Sequence, residues 1–162
     1  MVEAKSHEQF AKAIHGEVWR LLENPHRTKE ETERMVYAVH ASCYHWLHAG
    51  SGVNHQRGEW FIARVYTVLE DAAAATQHAR RCLELTEQHA SLLEDFDFAF
   101  AYELMARAAA LRGDRAEAAD YLPRARKAGT EIKDPEDRKV FFDDFFAYPW
   151  FGFDPGPRPA DR

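Results

Sequence analysis

Glycine and proline gather at a few places in this chain: Pro25, Gly50 to Gly58, Gly113, Pro123, Gly129, Pro135 and the run from Pro149 to Pro159. The stretches between them are rich in Ala, Leu, Glu and Arg, with apolar residues three and four apart. Such stretches are strong helix formers in helical period. Alternating β-branched runs are missing. The pattern predicts an all-α fold of antiparallel helical hairpins, about seven helices in one domain over residues 1–153, stacked as a short superhelix or an irregular bundle. A length of 162 residues suits one such domain.

The first helix is expected from about Ser6 to Glu23, burying Phe10, Ile14, Val18 (or Trp19) and Leu22, and ending at Asn24-Pro25. The second opens at Thr28, which forms a capping box with Glu31, and closes before Gly50. Its apolar stripe is Met35, Val39, Cys43 and Trp46. The third spans about His55 to Leu69, the fourth Ala72 to Gln88, the fifth Leu92 to Leu111 and the sixth Arg115 to Lys127. Asp134 and Pro135 supply the N-cap and first position of a seventh helix ending near Phe146. Connections of two or three residues make neighbouring helices antiparallel. Hairpins are therefore expected over 6–49, 55–89 and 92–128, with a capping helix at 134–147 and a loose tail at 154–162.

Charge and cysteine content narrow the function classes. There are 21 Lys and Arg against 27 Asp and Glu, a net charge of −6, which argues against a nucleic-acid partner. Cys43 and Cys82 lack CxxC spacing and read as reduced thiols, giving a cytoplasmic expectation. The first residues hold no apolar secretion segment, and nowhere do roughly 18 apolar residues run together, so no membrane partner is expected. No GxSxG, glycine-rich phosphate loop or SxxK occurs, and a non-catalytic role is expected over a catalytic one.

An offset of 43 residues aligns Ala63 with Ala106, Arg64 with Arg107, Asp71 with Asp114, Ala75 with Ala118, Ala79 with Leu122 and Cys82 with Ala125. The second copy, AYELMARAAALRGDRAEAADYLPRARKA, resembles a tetratricopeptide repeat: Ala106 in its first helix, Gly113-Asp114 at the turn, then Ala118 and Ala125. The first copy keeps Ala63, Tyr66 and Ala75, but has Glu70 in place of the turn glycine and Cys82 in place of the later alanine. The family's period is about 34 residues, so the surplus near ASLLEDFDF is expected to lengthen the fifth helix. The resemblance covers residues 59–127 and implies stacked hairpins that bind a protein or peptide on the face of their leading helices. Arg57, Arg64 and Arg107 are the candidate partner-binding residues, since guanidinium forks suit an acidic segment. The other reading pairs them with nearby glutamates on a solvated surface.

Two further clusters stand out. Seven of nine histidines lie in the first 55 residues. His45, His48, His55 and Glu59 are the candidate ligands of a divalent transition metal, in an alternative reading as a small metal-dependent enzyme or metal-binding bundle. The other reading sets His40 beside Tyr37 and Tyr44 against the first helix, and leaves His45 and His48 at a helix C-terminus that favours a cation. The segment VFFDDFFAYPWFGF holds eight aromatics between Phe141 and Phe153. Either it caps the last hairpin, or Phe142, Phe146, Trp150 and Phe151 assemble a homodimer.

Overall fold

The computed structural model describes residues 3–159. The helices are α1 (Ala4–Leu22), α2 (Lys29–Ala49), α3 (Gly52–Val68), α4 (Ala72–Gln88), α5 (Asp95–Leu111), α6 (Arg115–Glu131) and α7 (Pro135–Ala147). Among the described residues there is no strand. Each of α1 to α6 packs on its neighbours in the chain, and α7 lies against α5 and α6. The all-α expectation therefore holds.

Side chains fix where the helices start. The Glu31 N–H donates to the Thr28 hydroxyl at 3.1 Å while the Glu31 carboxylate accepts from the Thr28 N–H at 2.9 Å, the reciprocal pair foreseen for α2. Asp134 accepts from the Glu136 and Asp137 N–H groups, with Pro135 following it. Ser51 and Asn54 start α3 a turn earlier than the sequence pattern suggests.

The two hairpins repeat closely. Helices α5 and α6 begin and end 43 residues after α3 and α4, and all four contain 17 residues. Ala63, Ala106, Ala75, Ala118, Ala79, Leu122, Cys82 and Ala125 are all buried where the helices meet. The turns match as well. Asp71 and Asp114 each cap the following helix by accepting from the N–H three residues on. The Asp71 N–H donates to Tyr66 O and the Glu70 N–H to Thr67 O, and Asp114 and Gly113 bond Ala109 O and Ala110 O in the same way. This Schellman ending requires a left-handed residue. Gly113 supplies it at φ 80 without cost, whereas Glu70 is held there at φ 58.

Two expectations need correction. The ASLLEDFDF surplus does not lengthen the fifth helix. It forms a 3-10 turn at Ala90–Leu92 and a bend, because the Glu94 N–H bonds the Asp97 carboxylate and starts α5 at Asp95. Phe10 is 52% exposed rather than buried. The inward face of α1 is rotated toward Ala11, Val18, Leu21 and Leu22, since the Ser42 hydroxyl donates to the Ala11 carbonyl at 3.0 Å and draws α2 close there.

One apolar cluster joins α1, α2 and α3 around Val18, Leu21, Met35, Val39, Phe61 and Ile62. A second seats Phe141, Phe142, Phe145 and Trp150 on Ala99, Ala106, Leu122 and Ala125. Helix α6 runs on to Glu131 through Gly129, where any Cβ would collide with the Phe141 ring.

An L-residue in the left-handed region costs about 1–2 kcal/mol. Glu70→Gly should therefore raise unfolding stability by about 1 kcal/mol in urea denaturation, with the helical circular-dichroism spectrum unchanged.

Candidate functional site

Arg64 on α3 and Arg107 on α5 occupy equivalent places in the two hairpins, and both meet Glu103. Arg64 Nη2 lies 3.0 Å from one Glu103 oxygen, and Arg107 Nε bonds the other. All three side chains are 0% exposed. The sequence places these arginines on a surface open to a partner. They do share a face, but it is covered, so neither is a surface residue.

The cover is the chain's own C-terminal segment. Arg64 Nη2 also bonds Asp144 of α7 at 2.6 Å. Its remaining donors, Nε and Nη1, have no hydrogen-bond partner among the described residues, and the guanidinium lies over the Tyr148 ring at 4.4 Å and the Trp60 ring at 5.4 Å. Arg107 Nη1 donates to the Tyr148 and Pro149 carbonyls at 2.8 and 2.7 Å, and its Nη2 to Phe145 O at 2.9 Å. Trp150 stacks on that guanidinium at 4.1 Å and donates from its indole to Phe145 O. Burial pulls Arg64 down, yet Glu103 and Asp144 outweigh it and hold the group above its ordinary pKa. Burial lowers Arg107, with the like charge of Arg64 adding to the fall against Glu103.

The candidate assembly residues follow the same logic. Phe142 and Trp150 are buried in their own chain, while Phe146 and Phe151 stay half-buried. The described part of the tail lies against the helices. Arg126 donates to the Pro155 and Pro157 carbonyls, and Arg158 to Asp143 and the Phe142 carbonyl. Residues 160–162 of the expected loose tail lie outside the described ones. Arg57 is 45% exposed and committed to a bidentate pair with buried Asp97 at 2.8 and 2.9 Å.

The histidines divide into two groups, so the set His45, His48, His55 and Glu59 does not come together. His45 and His48 turn to α1: His45 Nδ1 is 2.7 Å from His7 Nδ1, and the His48 ring stacks on His7 at 4.5 Å. His55 and Glu59 turn to Cys43 instead, and one donor atom from each of these three lies within 4.8 Å of the others. His55 Nε2 is 3.5 Å from one Glu59 oxygen, and His78 of α4 lies 2.6 Å from the other. His40 bonds the Tyr66 hydroxyl at 3.0 Å, and its ring meets His78 at 5.4 Å. Tyr37 and Tyr44, placed beside His40 on the first helix by the sequence reading, are exposed. Burial, then the charge of Glu59, pushes the Cys43 thiol up to about 12. Both cysteines are free and buried.

Sequence reasoning misses Glu103, Asp144 and His78. The signals for the first two are the Glu103–Arg107 spacing of four and the acidic break inside an aromatic helix. The signal for the thiol cluster is Gly58, which lies inside α3.

Two expectations follow. Removing one member of a buried ion set leaves its partner uncompensated at a cost of about 3–5 kcal/mol. Glu103→Gln should lose stability of that order in urea denaturation, and Arg64→Ala and Arg107→Ala should lower the melting temperature strongly. For the histidines, burial, then the charges of His48 and His45, depresses His7, and burial depresses His15. The unfolded chain takes up those protons as pH falls through about 6.5, while the folded chain resists them. Stability should thus decline from pH ~7.5 to ~5.5, and a His7→Gln, His15→Gln double variant should show a flatter profile in thermal melts.

No family model, curated protein or solved structure matches this chain.

Proposed function

We propose that this chain is a non-catalytic interaction module of tetratricopeptide-like type, whose α3–α5 face takes a short acidic and aromatic segment of a protein or peptide. At rest that face holds the chain's own C-terminal segment. The observation that supports this best is the capture by Arg107 of three main-chain carbonyls, those of Phe145, Tyr148 and Pro149. A carbonyl carries no side-chain identity, so a guanidinium fork accepts any segment that presents the same spacing. Specificity then comes from one acid on Arg64, as Asp144 now provides, and one ring on Arg107, as Trp150 provides. A second copy carries such a segment by definition, and exchange of C-terminal segments gives a homodimer with the same contacts. The negative net charge favours neither a nucleic-acid partner nor an anionic surface. No described helix is long and apolar enough to cross a membrane.

The test uses the folded full chain with a protease site inserted between Lys133 and Asp134. After cleavage, a fluorescent peptide of residues 135–159 should enter in place of the severed segment and raise its anisotropy. An Asp144→Asn peptide should bind at least about tenfold more weakly, the loss of one charge-assisted contact. A cleaved protein that takes up no peptide, or one that takes up both equally, sinks the proposal.

A further inference from the structure

We propose a second, independent site: Cys43, His55 and Glu59 bind a divalent transition metal of the zinc type, with His78 positioning Glu59 from outside. The site lies between α2, α3 and α4, apart from the arginine-bearing face, and its ligands differ from the set that sequence spacing suggests.

Donor chemistry and backbone geometry argue for it together. A thiol, an imidazole and a carboxylate are a mixed set of the kind zinc takes. Their donor atoms already lie within 4.8 Å of one another. Tetrahedral zinc with bonds of about 2.0–2.3 Å needs neighbouring donors about 3.3–3.6 Å apart. The remaining closure is around an ångström, within reach of side-chain rotation. Cys43 and Glu59 have small exposures of 6% and 13%, and His55 keeps an edge at the surface.

Gly58 makes the approach of the sulfur possible. It sits in α3 between the two other ligands, and a Cβ there would lie 2.7 Å from Cys43 Sγ. Glycine inside a helix is less favourable than alanine. Here the missing side chain lets the thiol rest against the helix that carries His55 and Glu59.

The outer contacts are in place too. His78 bonds one Glu59 oxygen at 2.6 Å, leaving the other turned toward His55. His78 is itself stacked on Tyr66, with centroids 5.8 Å apart, and edged by His40. Hydrogen-bonded partners of this kind orient a ligating carboxylate. Cys43 and Gly58 also line a cavity of about 210 Å³ between α1, α2 and α3. On binding, a metal–sulfur bond forms as the thiol proton leaves to solvent, with no change of oxidation state. Three protein donors leave one coordination position for water.

Co²⁺, a coloured substitute for Zn²⁺, tests this on the full chain. One equivalent should bind and produce a thiolate-to-cobalt charge-transfer band in the near ultraviolet, which Zn²⁺ then bleaches. Cys43→Ala should abolish the band. His78→Ala should weaken binding about 10- to 100-fold, as loss of an outer contact does. A His45→Ala, His48→Ala variant should bind normally. Absence of the band in the unaltered protein, its survival in Cys43→Ala, or its loss in the His45/His48 variant overturns the site. Should Cys43→Ala unfold, the unaltered protein decides: Zn²⁺ must slow alkylation of Cys43, read by peptide mass spectrometry, and equal rates with and without Zn²⁺ reject the proposal. Peptide exchange at the α3–α5 face is unaffected by any of these outcomes.

Discussion

Two guanidiniums from matching positions of two hairpins converge on the single carboxylate of Glu103, out of contact with water. Like charges this close in a medium of low dielectric repel strongly, and Glu103 alone leaves one positive charge in excess. Asp144 of α7 supplies the balancing charge. Helices α3, α5 and α7 are therefore tied by a charge count as much as by packing. Buried ion sets are often no more stable than apolar groups of the same volume. What this set contributes is position: a segment lying here without an acid opposite Arg64 leaves that guanidinium under-compensated.

Around that set, the aromatic segment supplies the area. Phe141, Phe142, Phe145 and Trp150 fill the α5–α6 surface, and the absent side chain at Gly129 lets α7 come down on α6. The cationic groups are shared between rings and carbonyls. Arg107 lies over Trp150 while bonding three carbonyls, and Arg64 lies over Tyr148 while bonding two acids. A helix end leaves its last carbonyls without intrahelical donors, and the chain leaving α7 adds those of Tyr148 and Pro149. Arg107 bonds one carbonyl of the last turn, Phe145, and the two that follow the helix, Tyr148 and Pro149.

Much of the fold was legible because it rests on local rules. Thr28 and Glu31, Asp134 and Pro135, and the 43-residue offset each fix a helix end by contacts a few residues apart. The reversal of surface and interior at Arg64 and Arg107 was not legible, because what covers them lies 80 residues away in the case of Asp144. A 3.6-residue period identifies the face a residue shares but not what lies on it. The histidines show the same limit. His45 and His55 are close in sequence, yet the bend at Gly50–Ser51 leaves His45 against His7 of α1 and His55 beside Cys43 and Glu59. Gly58 reads in sequence as the end of the glycine-rich break from Gly50, whereas in the structure it lies inside α3 with a sulfur atom in the space beside it.

The 80-residue span from Arg64 to Asp144 also bears on how the chain is made. Most packing is between consecutive helices and can form as each hairpin leaves the ribosome. Helix α7 follows all of them, so for an interval the nascent hairpins expose Arg64, Glu103 and Arg107 together with the apolar floor meant for the phenylalanines. Contacts between distant parts of a chain form slowly, and bare apolar surface in that interval favours aggregation. Arg64, Glu103 and Arg107, set within that floor, divide its apolar area, and divided apolar patches are a smaller aggregation liability than continuous ones.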